Sequence, residues 1–529
     1  MKRFVFRGSL LLAVLLVVVL LLAWLARPAV PSRPDVLLIT IDTLRADHLG
    51  AYGYAAARTP NIDRLAAEGT VFLQATTPFP RTTPGLASLL TGLWPQHHGS
   101  REVTQPIGDV TTLAQVLKKQ GYVTLGVSAT GAASPHQHLD RGFDQFLDYR
   151  ELKPPLAKLV TERTLQLVAT APADQPLLLW VHYIDPHFPY IPPADWPDQP
   201  AAEGCRALID DVSRSSWRIA EAQGDRDGMS SRVLADCVAL YDAEIAYADS
   251  EVGRLLAGLE AAGRRQRAVI VFTADHGENL GEDGLFFEHG PSVSDASLRV
   301  PLIFAGAGIP QRVDRGVFRL EDVTPTLLSL LRVPAAERPA MDGVDSSSRL
   351  ARWAGLASWH AQPVALAESG SSLLPNSFRW VYSGRVRELH CYHAGRFSLC
   401  SKPGEVPRLY DHEADPELKT DLSAQLPQER AQLLAVAAAW PAEQVRQRTV
   451  RTPRFKLVEY PRWRGGYRRV LYDLAADPGE TTDVKQRFPN DFQRLQRTLS
   501  SWTAQLPASA GGERTPEQIQ ALRALGYIQ

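Results

Sequence analysis

The run Val36-Leu-Leu-Ile-Thr-Ile41 constrains this chain more than any other feature. Six successive apolar or β-branched residues, without apolar–polar alternation, describe a strand buried on both faces. Such strands belong to sheets covered by helices on each side. The pattern recurs at Val123 to Ser128, Leu177 to Val181, Ala268 to Thr273 and Val300 to Phe304. Helical stretches stand between these runs. One opens at Thr59-Pro60 and closes near Glu68-Gly69, one runs from about Thr112 to Gln120, and one from about Leu234 to Ala262, with Gly121 and Gly263 as stops. A cap residue, a first-turn proline and a terminal glycine are ordinary helix punctuation. The alternation predicts an α/β fold built on a mostly parallel sheet flanked by helices.

In open sheets of this type, ligands gather beyond the carboxyl ends of the strands. The first strand runs into Asp42, the third into His182, Asp185 and His187, and the fourth into Asp275 and His276. One acid after a strand is an ordinary turn residue; several acids and imidazoles along one edge predict a site. The segment Arg81-Thr-Thr-Pro-Gly-Leu-Ala-Ser-Leu-Leu-Thr-Gly92 adds a hydroxyl. Thr83 suits an N-cap, Pro84 a first turn and Gly92 a stop, which puts Thr82 at the positive end of a short helix. Amides at such an end bind oxyanions, and the local field favours an alkoxide over an alcohol.

The ordered set Asp42-Thr-Leu-Arg-Ala-Asp47, Thr59-Pro-Asn-Ile-Asp63, Ala87 to Gly92, Asp185-Pro-His187 and Thr273-Ala-Asp-His-Gly-Glu278 resembles the sulfatase family of the alkaline-phosphatase superfamily. Glu288-His-Gly290, Leu298-Arg-Val-Pro301 and the closing Leu522 to Tyr527 extend the resemblance over most of the chain after residue 35. It implies an alkaline-phosphatase-like sheet with a smaller C-terminal α+β subdomain. It also implies that Asp42, Asp275 and His276 ligate one divalent metal, with Thr82 both the nucleophile and a further ligand. His187 and His289 match positions that contact the anionic ester. Oxygen ligands with one imidazole suit Mn2+ or Zn2+ better than Ca2+. A second zinc site at Asp185, His187 and His289 is not expected.

The departures from the family pattern bear on chemistry. The signature Cys or Ser, any residue, Pro, any residue, Arg reads Thr82, Thr83, Pro84, Gly85 and Leu86 here. Threonine cannot become the formylglycine aldehyde of true sulfatases, and the arginine is missing. Thr43 follows Asp42 where a second acid is usual, and Ser128-Ala-Thr130 stands near the family's Lys-x-His. The later lysine position reads His289, in a stretch with no lysine between Lys158 and Lys402. Direct attack by an alcohol is the chemistry that survives, and it suits phosphorus better than sulfur, because a phosphothreonine can be resolved by in-line attack of water. The expected substrate is a phosphate or sulfate ester of a glycan, lipid or small molecule. Three alternatives stand beside this reading: a phospho-headgroup transferase using the same Thr82 intermediate, a true sulfuric ester hydrolase, and a catalytically silent binding protein.

Charge and composition bound the rest. Acidic and basic side chains nearly cancel (58 against 57), so no field of one sign is available and nucleic acid is not an expected partner. Lys2, Arg3 and Arg7 precede an uncharged apolar run from Leu10 to Ala26. Read on hydropathy, residues 1–30 form a single N-terminal membrane anchor with the remainder periplasmic or otherwise extracytoplasmic. Two local disulfides, Cys205 with Cys237 and Cys391 with Cys400, fit that compartment. The catalytic domain is expected over 35–345. A C-terminal subdomain over 346–529 carries an internal echo: Arg396-Phe-Ser-Leu399 leads to Leu409-Tyr-Asp411 and Asp415-Pro416, and Arg454-Phe-Lys-Leu457 leads to Leu471-Tyr-Asp473 and Asp477-Pro478.

Overall fold

A computed structural model describes residues 33–505 apart from 104, 149–156, 198, 215–229, 283–284, 291, 351–363, 372–374, 383–384, 395–396, 402–405, 407, 412–419, 439–445 and 462–466. Its centre is a nine-stranded sheet. Strands β1 (Asp35–Ile41), β2 (Thr70–Thr76), β3 (Val123–Ser128), β4 (Gln145–Leu147), β5 (Leu177–Tyr183) and β6 (Ala268–Ala274) supply most of it. The order β6-β1-β5-β3-β4 is parallel throughout. Every residue of β1, β5 and β6 is buried, as runs without alternation require. The α/β fold with a mostly parallel sheet and flanking helices is therefore the observed one.

The expected strand from Val300 to Phe304 is two strands. Pro301 has no amide to give a ladder. Arg299–Val300 pairs with β2, and Leu302–Gly306 runs antiparallel between β2 and β6. Beyond β2, Arg312–Arg319 closes that side in parallel.

The helices between strands follow their punctuation, with two corrections at caps. Leu113–Lys119 begins with a reciprocal capping box between Thr112 and Gln115. Pro60–Glu68 begins after Thr59, but Thr59 caps nothing; its first amides, at Asn61 and Ile62, donate instead to Asp249 of the Ser231–Ala261 helix, at 3.1 and 2.7 Å. The second correction is Thr83, which lies inside the Thr82–Thr91 helix and donates its hydroxyl to the carbonyls of Val103 and Ala132. Cys205 and Cys237 form a disulfide joining Glu203–Arg214 to Ser231–Ala261.

A smaller C-terminal unit packs on this core. One four-stranded antiparallel sheet has the order Ala365–Ser371, Arg446–Arg451, Phe455–Pro461, Tyr467–Asp473, and a second is made of Pro375–Tyr382, Arg385–Ala394, Phe397–Ser401 and Arg408–Asp411. The echo noted in sequence is one hairpin register used twice. Phe397 faces Asp411 and Leu399 faces Leu409, as Phe455 faces Asp473 and Leu457 faces Leu471. In the second sheet Cys391 is set opposite Cys400 along the backbone. Arg396, the Asp415-Pro416 pair and the closing Leu522 to Tyr527 lie outside the described residues.

The membrane-anchored, extracytoplasmic location expected above is corrected. No helix among the described residues is long and apolar enough to cross a membrane. The run from Leu10 to Ala26 lies outside them. Hydropathy alone spoke for the anchor.

Candidate active site

The register of the parallel strands brings the candidate residues together. Ile41 pairs with Ala274 and with Tyr183, so Asp42 and Asp275 leave the sheet side by side. Thr43 follows in the left-handed region, at φ 55°. A β-branched residue there is strained by roughly 1–3 kcal/mol. The turn aims the Thr43 amide at Asp275 Oδ1, 3.3 Å away, and its carbonyl accepts from the Tyr241 hydroxyl at 2.7 Å.

The Thr82–Thr91 helix meets this edge at its N-terminus. A Cβ on Gly85 would lie 2.6 Å from the Asp275 carbonyl oxygen, so the missing side chain permits the close approach. Thr82 Oγ1 thereby comes to 3.3 Å from His276 Nε2. His276 Nδ1 donates to the Gly277 carbonyl at 2.8 Å, which leaves the lone pair on Nε2. That lone pair faces Asp42 Oδ1 at 3.6 Å and Asp275 Oδ2 at 3.4 Å.

Asp42, Asp275 and His276 are the one group of three or more acids and imidazoles among the described residues whose ligand atoms converge, all within 4.8 Å of one another. Asp42 Oδ1 and Asp275 Oδ2 are buried without a hydrogen-bond partner. Orphaned carboxylate oxygens are costly in a protein interior. Two of them beside an imidazole lone pair form the donor set of a divalent cation, so the residues fit one.

Electrostatics agrees with that assignment. Burial opposes ionisation of Asp42, but the adjacent His182 imidazole and the charges of His187 and His276 bring its pKa down to about 2. Burial, and then the charge of Asp42, push the Asp275 carboxyl well above the usual range. Two acids that share a dry site resist joint ionisation until a cation neutralises them. Burial lowers His276 to about 4 against the pull of Asp42, so the imidazole is neutral at neutral pH and able to ligate.

His187 and His289 also reach the site. Their rings stand edge to face with centroids 5.1 Å apart, and the His289 ring lies 4.3 Å from that of His276. His289 Nδ1 is 3.1 Å from Glu278 Oε1. Burial first, then the charges of His276, His187 and Arg81, hold His289 well below the usual imidazole range.

Asp185 does not join them. Its Oδ2 accepts the Ala157 amide at 3.0 Å, and it is not one of the converging ligands. His182, by contrast, has a part that its place in a buried strand concealed. Trp180 Nε1 donates to Thr40 Oγ1 at 3.0 Å, Thr40 Oγ1 meets His182 Nδ1 at 2.8 Å, and His182 Nε2 lies 3.6 Å from Asp42 Oδ2. This chain orients Asp42 from the core. The period-2 spacing of Thr40 and Asp42, with His182 beside Thr40 in the neighbouring strand, is the signal that could have revealed it.

A sheet of this order, with acids and an imidazole at its carboxyl edge facing a hydroxyl at a helix start, defines the alkaline-phosphatase-like class of ester hydrolases. The sequence profile of the Sulfatase family matches residues 34–333, and the chain belongs to that family, whose members are metal-dependent ester hydrolases. It is 26% identical to iduronate 2-sulfatase of Homo sapiens over 450 residues, spanning 71% of this chain and 80% of the relative. It is 27% identical to steryl-sulfatase of Mus musculus over 534 residues, spanning 80% and 84%. Its fold matches the phosphonate monoester hydrolase of Silicibacter pomeroyi with a TM-score of 0.61 at 21% identity, over 90% of this chain and 96% of that one.

Proposed function

We propose that this sulfatase-like hydrolase cleaves a phosphate ester with the unmodified Thr82 hydroxyl as nucleophile, with sulfate esters the poorer substrates. The observation that carries the reading is the 3.3 Å approach of Thr82 Oγ1 to His276 Nε2, at the point faced by the orphaned oxygens of Asp42 and Asp275. Asp42, Asp275 and His276 would hold a divalent cation, Mn2+ or Zn2+ by donor type, with Thr82 Oγ1 as a further donor. Such an ion lowers the pKa of an oxygen it binds and offsets charge on the ester.

The protein's own residues do the rest. Thr82 stands at the first turn of its helix, where the amides and dipole favour negative charge on its oxygen. Its hydroxyl loses a proton to solvent, its oxygen bonds to phosphorus, and the bond from phosphorus to the alcohol oxygen breaks. The departing oxygen takes up a proton. Water then attacks the phosphothreonine, the Thr82 Oγ–phosphorus bond breaks, and the hydroxyl regains its proton. His187 and His289 contact the ester oxygens, and Glu278 orients His289 through Nδ1. Neighbouring functions on both sides of the phosphorus–sulfur divide support an ester site of this kind: iduronate 2-sulfatase and steryl-sulfatase among the relatives, and a phosphonate monoester hydrolase by fold.

We place the catalytic domain at 35–345 and the C-terminal subdomain at 346–529. The family match ends at 333 and the C-terminal sheet begins at Ala365, which supports a boundary between them. The function is tested with matched aryl sulfate, phosphate monoester and phosphodiester substrates in the presence of Mn2+, Zn2+ or Ca2+. A phosphate ester is the expected best substrate, and Thr82→Ala is expected to lose roughly 10^3-fold or more in kcat. Equal turnover by Thr82→Ala would end the mechanism.

A further inference from the structure

The family signature asks for an arginine at the position of Leu86, and this chain has none there. Leu86 is fully buried in the main hydrophobic cluster, where an unpaired charge would be costly. A cation does stand at the same helix, at the residue before the nucleophile. Arg81 is the N-cap of Thr82–Thr91, and it is only 5% exposed. Its guanidinium fills the space that a Cβ on Gly290 would need, with Cζ and Nε 2.5 Å from that point. Gly290 follows His289, whose ring lies 4.3 Å from that of His276, tilted by 32°. Arg81 therefore precedes Thr82 in the chain and lies against the residue that follows His289.

Its charge is incompletely answered. Arg81 Nε is buried without a hydrogen-bond partner, and its carboxylate neighbour, Glu102, approaches only to 3.7 Å. Glu102 is engaged more closely by Arg446, from strand Arg446–Arg451 of the C-terminal sheet, at 3.1 Å. Two guanidinium groups thus share one carboxylate, and a buried cation without its own counter-ion calls for an anion. Arg446 is itself held. It is 1% exposed, donates to the Ser369 carbonyl at 2.9 Å and stacks over Phe79 at 5.7 Å. The same sheet grips the approach to the nucleophile a second time, because the Glu368 amide donates to the Pro78 carbonyl at 3.2 Å and Arg101 pairs with the Glu368 carboxylate at 2.6 and 2.7 Å.

We propose that Arg81 binds the anionic oxygens of the substrate, and that the C-terminal subdomain positions it through Glu102 and Arg446. The inference rests on the ester-hydrolase reading but not on Thr82 being the nucleophile. A guanidinium fork matches two oxygens of a tetrahedral oxyanion, which a lysine at the same place cannot do. The subdomain then sets the cation that recognises the reacting group.

The test measures binding of inorganic phosphate and of inorganic sulfate to the full chain with Mn2+ present, by calorimetry, alongside KM and kcat. Arg81→Gln is expected to weaken phosphate binding at least 10-fold and to raise KM. Arg81→Lys, which keeps the charge and most of the bulk, is expected to recover part of the loss. Thermal unfolding of each variant reports whether it is folded. Should Arg81→Gln fail to fold, Arg81→Lys carries the test, with a loss of about 3- to 10-fold expected. Phosphate binding as tight as wild type in either folded variant overturns the proposal. Thr82→Ala separates the two readings: it should still bind phosphate while losing turnover, and an active Thr82→Ala would sink the nucleophile while leaving the Arg81 result to stand on its own.

Discussion

Asp42 with Asp275 and Asp185 with Glu244 are two pairs of buried acids, and both lie near the carboxyl end of the central strands. In each pair at least one carboxyl is pushed up by burial, Asp275 well above its usual range and Asp185 to about 7. Glu244 is raised too, by burial and then by the charge of Asp185. The pairs differ in what faces them. Asp185 Oδ2 accepts the Ala157 amide and Glu244 Oε1 accepts the Ile191 amide, so the second pair braces the chain segments around it. Asp42 and Asp275 turn orphaned oxygens toward one imidazole nitrogen and one hydroxyl. A raised pKa marks both pairs, and convergence of unpaired donor atoms marks one.

The sharpest way to break this contrast is to neutralise one acid in each pair. Asp42→Asn removes a charged donor and is expected to weaken Mn2+ binding by 10^2-fold or more, read by metal titration, with loss of activity. Asp185→Asn, which keeps an acceptor for the Ala157 amide, should leave metal affinity within about 3-fold. Equal effects of the two substitutions would erase the distinction drawn here.

A smaller effect sharpens the role of the second pair. Because Asp185 is raised to about 7, the folded chain holds its proton more tightly than the unfolded chain does. That contribution is complete below the ordinary value of 3.8 and is lost as the pH rises through about 7. Asp185→Asn should therefore gain stability over wild type as pH rises, by about 1–3 kcal/mol near pH 8 and by less near pH 5. The same Tm difference at both pH values would show that Asp185 does not titrate against its buried neighbours.

Particular residues show how far the chain can be read before folding. Asp42, Asp275 and His276 follow strands whose runs are continuous and apolar, so their places at the sheet edge come from local pattern and parallel register. Thr82 is readable because a proline and a glycine punctuate its helix, although the cap is Arg81, two residues before the Thr83 that the pattern suggests. In the tie from Arg81 through Glu102 to Arg446, the link between Glu102 and Arg446 joins positions 344 residues apart, and no local spacing encodes it. Asp185 misled for the opposite reason: its motif neighbours reach the site, but its own side chain is claimed by a backbone amide from another helix. The strand break at Pro301 follows from one missing amide and was readable in principle.

The most direct measurement asks where the substrate's phosphoryl or sulfuryl group goes during turnover. Rapid acid quench with a slowly resolved aryl ester, followed by peptide mass spectrometry, should find the group esterified to Thr82. An adduct on another residue, or none during turnover that survives in Thr82→Ala, would contradict the account.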